Sequence, residues 1–351
     1  MERIKINVPD SYDVIIGKGI LDKTADFLKE VGIEGKLAIV CDSNVAPLYL
    51  GRLESALKAG GYDTVHFVFP AGEESKNLDT LSDILEFFAE SGLTRRDTAI
   101  ALGGGVTGDM TGFASGAYMR GISYVQIPTT LLASVDSSVG GKTAVDLKAG
   151  KNLAGLFIQP KVVICDTDTL NTLEEGVYAD GMAEVIKTAI LGDAELFEAL
   201  EKGSPRDNDE YVISRCVAYK GRVVSEDEFE MGVRKLLNLG HTPAHSVEKL
   251  SGYTVPHGHA VAMGLGIMTR SARAEGLIDQ SLEKRILSLI EKYSLPTVSP
   301  YSSKELADTA FFDKKRQGNS ISVIKVRGIG DCFIEKLQMN EVEALFTRGI
   351  K

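Results

Sequence analysis

Cysteine, histidine and long apolar runs are all scarce in this chain. Its four cysteines, Cys41, Cys165, Cys216 and Cys332, lie far apart with no CxxC spacing. A disulfide-stapled scaffold and a cysteine-ligated structural zinc are thereby excluded, and buried free thiols in a reducing compartment are expected. No run of about 18 apolar residues occurs, and the opening MERIKINVPD carries charges at its second, third and fifth positions where a leader would be apolar. The expectation is a cytoplasmic protein without a membrane partner. No internal repeat, low-complexity tract or long linker interrupts the 351 residues, a length that suits about two domains.

What is present is ordinary in bulk and uneven in detail. Apolar residues at 44% and charged residues at 25% describe a folded chain. Lys plus Arg number 39 against 49 Asp plus Glu, a net charge of −10, which would repel nucleic acid and anionic lipid. An anionic ligand must therefore be caught by a local basic cluster. Of only five histidines, four (His241, His245, His257 and His259) fall within nineteen residues, and that concentration is the first functional signal.

From about residue 36 to 170, short β-branched runs (36–42, 63–69, 97–102, 122–127 and 161–166) alternate with segments of helical period such as 78–91. This is the pattern of a parallel sheet with crossover helices. The strands end at Asp42, Pro70, Gly103, Pro128 and Asp166, which places those residues at the ligand-binding edge of such a sheet. Beyond about 175 the strand signals fade, and helices are predicted over 181–202, 210–226, 243–250, 260–275 and 280–293, with a hairpin near 320–335. The division is therefore an α/β, Rossmann-like domain over 1–175 and a mainly α-helical domain over 176–351.

The chemistry gathers in a few stretches. Gly103 to Asp109 (GGGVTGD) follows an apolar strand and opens a helix, and Gly103, Gly105 and Gly108 match GxGxxG, a turn that lets a pyrophosphate approach backbone N–H groups. The acidic residue usual about 20 positions later is missing, so Asp42 is the better candidate for a ribose. Ala71 to Lys76 (AGEESK) offers Glu73 for hydroxyls and Lys76 for a phosphate, with a charged capping turn as the alternative. Residues 127–152 (IPTTLLASVDSSVGGKTAVDLKAGKN) form a polar, glycine-rich stretch of the kind that serves function. Glu184 and Lys187 share one face of an otherwise apolar helix, where charge must be paired or bound to a metal. In NLGHTPAH, Thr242 suits an N-cap and Pro243 the first turn, which would leave His241 before the helix. One helix-borne carboxylate with clustered histidines is a ligand set suited to a catalytic zinc with an open position.

Taken together, GGGVTGD, PTTLLASVDSSVGGKTAVD, KNLAGLF, GMAEVIK, LNLGHTPAH, PHGHAVAMG and DKKRQG resemble the 3-dehydroquinate synthase family of sugar-phosphate cyclases, from about Asp42 to Gly318. The resemblance implies the dehydroquinate synthase-like fold, with Glu184, His241 and His257 binding a divalent metal, zinc or cobalt, and His245 beside it. It assigns Asp42, Glu73, Lys76, Gly104, Gly105, Val106, Asp109, Thr129, Thr130, Thr172 and Leu173 to NAD, with Lys142 and Lys151 contributing. Asp136, Lys142 and Asn152 would stand near the substrate, and Arg120, Lys151, Lys187, Lys220, Arg234, Asn238 and Lys315 would complete an anion pocket. A homodimer is implied, with Arg120 reaching toward the partner's site.

The chain departs from the family pattern twice, reading His257-Gly-His259 where members often read HGE, and Glu174 to Val177 where they tend to carry Pro-x-Arg-Glu. The implied reaction takes 3-deoxy-arabino-heptulosonate 7-phosphate, a small anionic sugar phosphate, to 3-dehydroquinate and phosphate in the shikimate pathway. It runs through transient oxidation by NAD, phosphate elimination, reduction and aldol closure. Alternatives are another sugar-phosphate cyclase or a metal-dependent polyol or glycerol dehydrogenase.

Overall fold

The computed structural model describes residues 1–204, 206, 208–314 and 320–350, with the backbone alone for 311–314. The chain divides into two compact units, the first comprising residues 1–173 and 209–228, the second 174–208 and 229–351. The helical stretch near 210–226 thus belongs with the α/β unit, although it follows the first two helices of the other unit in the chain.

The first unit is built on a seven-stranded sheet in the order β1-β2-β9-β6-β5-β3-β4. Its strands are β1 (Glu2–Ile6), β2 (Tyr12–Gly17), β3 (Leu37–Asp42), β4 (Thr64–Phe69), β5 (Thr98–Gly103), β6 (Ser123–Pro128) and β9 (Val162–Asp166). Only β1 and β2 are antiparallel; every other pairing is parallel. Side chains alternate across each strand, so in β3 Ile39 and Cys41 enter a core with Leu28, Leu53 and Leu57, whereas Ala38 and Val40 enter one with Ile84, Phe88 and Met110. Helices α1 (Thr24–Glu30) and α2 (Gly51–Ala59) supply the first core, α3 (Leu78–Glu90) and α4 (Gly105–Ala117) the second.

Five of these strands match the predicted runs to within a residue. The stretch read as a functional loop is more ordered than expected: it passes through a short π-helical segment, Ala133–Ser137, and then forms the hairpin β7 (Lys142–Leu147) and β8 (Gly150–Phe157). Its glycines mask a period-two pattern carried by Thr143 and Val145, both buried. Helix α7 (Asp209–Glu226) packs against β1 and β2.

The second unit contains α5 (Glu175–Gly192), α6 (Ala194–Lys202), α8 (His241–Leu250), α9 (His257–Ala274), α10 (Gln280–Lys292), α11 (Ser303–Lys314), α12 (Met339–Gly349) and the antiparallel pair β10 (Ser320–Gly328) and β11 (Asp331–Gln338). The single helix expected over 181–202 breaks at Asp193, whose carboxylate accepts from Leu196 N at 3.0 Å and caps α6. Two expectations about α8 need correction. Its N-cap is Gly240, not Thr242, and His241 is its first residue; the left-handed backbone of Gly240 (φ 79°) turns the chain into the helix one step earlier. No helix among the described residues is long and apolar enough to cross a membrane.

Candidate active site

Three helices of the second unit bring Glu184, His241 and His257 together. Glu184 projects from the middle of α5, which is buried from Gly181 to Leu191, and is itself only 1% exposed. His241 and His257 are the first residues of α8 and α9. Their ligand atoms all lie within 4.8 Å of one another. Glu184 Oε1 stands 3.5 Å from His241 Nε2 and 3.3 Å from His257 Nε2.

The opposite nitrogens point away, His241 Nδ1 to the carbonyl of Leu239 at 3.2 Å and His257 Nδ1 to Glu248 Oε1 at 3.3 Å. With Nδ1–H donating to an acceptor, each ring in its neutral form presents a lone pair at Nε2. One carboxylate oxygen and two imidazole nitrogens converging in this way are a donor set that fits a divalent ion. His245 lies one helical turn after His241 and meets its ring edge-on at 5.6 Å.

His259 does not join the set. It turns to Asp180, whose Oδ1 accepts from both its backbone N at 2.9 Å and its Nδ1 at 3.1 Å.

Charge in this cluster is tightly coupled. Lys187, on the same face of α5, places Nζ 2.5 Å from Glu184 Oε2, and both side chains are nearly inaccessible. Burial pushes His241 down to about 3 despite the pull of Glu184. The same burial acts on His257, but hydrogen bonds to Glu184 and Glu248 outweigh it and push that ring up to about 10. A proton on His257 and the ammonium of Lys187 together balance the two carboxylates. Arg234 is fully buried in the turn Val233–Asn238, and Asn238 donates to Glu230.

The first unit gathers a second group of predicted residues at the carboxyl edge of its sheet. Lys76 is buried and donates to Asp109 Oδ2 and Asn152 Oδ1, each at 2.6 Å. Burial alone would lower the ammonium's pKa, but Asp109 and Glu73 raise it above the usual lysine range. Burial holds Asp109 above the usual carboxylate range, with Lys76 opposing. Lys151 pairs with Glu73 at 3.3 Å.

Lys220 of α7 donates to the carbonyl of Asp136 at 2.7 Å and to its carboxylate. Gly104 is the N-cap of α4 and Gly105 its first residue, and Thr129 N donates to the carbonyl of Gly103. Val106 packs on the adjoining core, and Ala133 N donates to Thr130 Oγ1. Asp42 is occupied locally, accepting from Asn44 N and Val45 N at 2.8 and 3.0 Å. Thr172 Oγ1 contacts Tyr49 OH at 2.5 Å, and Leu173 follows it.

The remaining predicted residues are Lys142, Arg120 and Lys315. Lys142 is exposed at the start of β7. Arg120 lies beyond the far end of α4, about 20 Å along the helix from Gly105 at 1.5 Å per residue. Lys315 lies outside the described residues. Two residues beside the histidines were missed, Glu248 and Asp180. The signal for both was helical spacing: Glu248 is seven positions after His241 in α8, and Asp180 is four before Glu184 in α5.

The chain is similar to known proteins over nearly its whole length. The family model for the 3-dehydroquinate synthase N-terminal region matches residues 66–180, and that for its C-terminal region matches residues 181–316. A 3-dehydroquinate synthase of Streptococcus suis (strain 05ZYH33) is 41% identical, covering 97% of this chain and 98% of that one. One from Clostridium acetobutylicum is 43% identical, covering 95% of each. Among solved structures, 2-epi-5-epi-valiolone synthase from Streptomyces hygroscopicus subsp. jinggangensis 5008, determined with NAD+ and Zn2+ bound, is 27% identical with a TM-score of 0.88, covering 98% of each chain. Matched by both halves of the family and by relatives of near-equal length, the chain belongs to the 3-dehydroquinate synthase family of sugar-phosphate cyclases.

Proposed function

We propose that this cyclase is a phosphate-eliminating lyase that requires NAD and a divalent metal and takes 3-deoxy-arabino-heptulosonate 7-phosphate to 3-dehydroquinate in the shikimate pathway. The observation that carries the reading is the convergence of Glu184 Oε1 with Nε2 of His241 and of His257, each ring turned by an acceptor at Nδ1. Those three residues would hold the ion, which when bound supplies a Lewis acid that favours ionisation of a substrate hydroxyl. NAD, for which Gly104, Gly105, Glu73, Lys76 and Asp109 are the proposed contacts, supplies a hydride acceptor that later returns the hydride.

The remaining work falls to the chain's own side chains. Net charge −10 makes a dense set of cations necessary for a substrate bearing both carboxylate and phosphate. The first unit offers Lys142, Lys151 and Lys220, the second Lys187 and Arg234. Lys187 and Arg234 are buried, so their fields are weakly screened and strong on an anion brought to them. Asn152 and Asn238 add donors to substrate hydroxyls. Asp136, held by Lys220, is proposed to orient the substrate. No side chain among the described residues stands out as a dedicated base, and the substrate's own phosphate is the proposed proton acceptor during elimination.

A homodimer is part of the proposal. Leu153, Leu156 and Phe157 of β8 are exposed, as is Met119, the neighbour of Arg120 in the chain, and this is apolar surface that a partner would cover. Four free cysteines support a reducing, cytoplasmic setting. The deciding experiment is phosphate release from the heptulosonate phosphate with NAD well below substrate concentration. Many turnovers without net NADH are expected. NADH accumulating on a simple polyol, with no phosphate released from the heptulosonate phosphate, would identify a dehydrogenase instead.

A further inference from the structure

Ligand sets are only as good as the groups that hold them, and His257 is held from two sides. It opens α9, so its backbone is set by the first turn of that helix and its ring by whatever meets Nδ1. The ring partner is Glu248 of α8, buried, at 3.3 Å. The backbone partner is Asp180 of α5, whose carboxylate accepts from the N–H of the third residue of α9 at 2.9 Å and is held in place by His259 Nδ1 at 3.1 Å. At the same point α5 and α9 touch backbone to backbone: a Cβ on Gly258 would lie 1.9 Å from the carbonyl oxygen of Asp180.

Each of these carboxylates sits on a helix that also carries a proposed ligand. Glu248 is seven residues from His241 in α8, and Asp180 is four from Glu184 in α5. A shift of either helix against α9 therefore moves two ligands relative to each other, and these contacts resist it. We infer that Glu248 and Asp180 are positioning residues for the metal: Glu248 aims the imidazole of His257, and Asp180 caps α9 and locks its first turn to the helix that bears Glu184. The inference rests on the metal reading above, and it gives His259 a task of its own, as the clasp on Asp180.

The test is Co2+ binding by the metal-free full-length chain, followed by visible absorption and by competition with a chelator, with thermal unfolding of the metal-free proteins measured alongside. Removing a carboxylate that orients a metal-bound histidine typically weakens binding 10- to 100-fold. Glu248→Ala and Asp180→Ala are each expected to fall in that range with an altered Co2+ absorption, whereas Glu248→Gln, which keeps an acceptor for Nδ1–H, loses less. Wild-type affinity and an unchanged spectrum in both alanine variants would overturn the proposal, even if their melting temperatures drop, because the contacts would then be structural only. Asp180 is partly exposed, so its alanine variant is expected to fold. Should Glu248→Ala not fold, Glu248→Asp, with its carboxylate drawn back by one methylene, decides on the same criterion. The underlying reading fails separately, through absence of one-to-one Co2+ binding by the wild type or wild-type binding by His257→Ala.

Discussion

Two histidines on the first turn of α9 are chemically alike and placed in opposite electrostatic company. His259 faces one carboxylate, Asp180; His257 faces two, Glu184 and Glu248, both of them buried. Folding raises His257 from its ordinary 6.5 to about 10. Its proton therefore stabilises the metal-free protein in full below about pH 6.5, and that contribution is lost as the pH rises through about 10. His241, pushed down to about 3 by burial, carries no proton at neutral pH. An ion that takes Nε2 of both rings must then expel one proton, from His257 alone. Between pH 7 and 9, apparent metal affinity should tighten about tenfold per pH unit, since each proton released contributes one factor of ten. Calorimetry in buffers of different ionisation enthalpy measures this directly, and release of no proton would show that the ion does not take Nε2 of a protonated His257.

Elements bring these residues together through contacts that tolerate no added atoms. α9 crosses the start of α8 at Gly264, where a Cβ would lie 2.0 Å from the carbonyl oxygen of Gly240, the residue immediately before His241. Gly264→Ala should therefore force the helices apart, with an overpacking cost of about 1–3 kcal/mol, and should weaken metal binding by displacing His241. Denaturant unfolding and a metal titration of the same variant check both halves; unchanged values in each would mean that α8 yields freely. None of this crossing geometry is legible in the sequence, where Gly264 is one glycine among thirty-six.

What was legible is local. The five parallel strands are visible because each is a short β-branched run bounded by turns, and the glycine-rich opening of α4 because its spacing is a motif. The antiparallel pair β1 and β2 and the hairpin of β7 and β8 escaped, since their short runs were masked by charge or glycine. The ligand triad was legible by residue type and by resemblance, whereas Glu248 and Asp180 were hidden, because one more acidic residue on a helix face ordinarily means solvent.

At the scale of the whole molecule, the ligand set belongs to one unit and the glycine-rich turn to the other, and each unit has its own buried core. Glu184, His241 and His257 sit on helices whose burial is mostly apolar, with α9 buried from Ala260 to Ala272. Removing the ion should leave that packing intact and remove only the binding contribution to stability, about 2.7 kcal/mol at a hundredfold excess of metal over its Kd. For a unit of this size that corresponds to roughly 5–10 °C in Tm. The first unit contains no member of the set, so its unfolding should shift less. The expected result of exhaustive chelation is lost turnover, a far-UV circular dichroism spectrum close to that of the loaded protein, and a calorimetric trace in which one component moves down while the other stays. Loss of both components in step with the metal would show instead that the ion is a structural requirement of the entire chain, because a contribution confined to three side chains of one unit cannot unfold a second unit that has its own sheet and core.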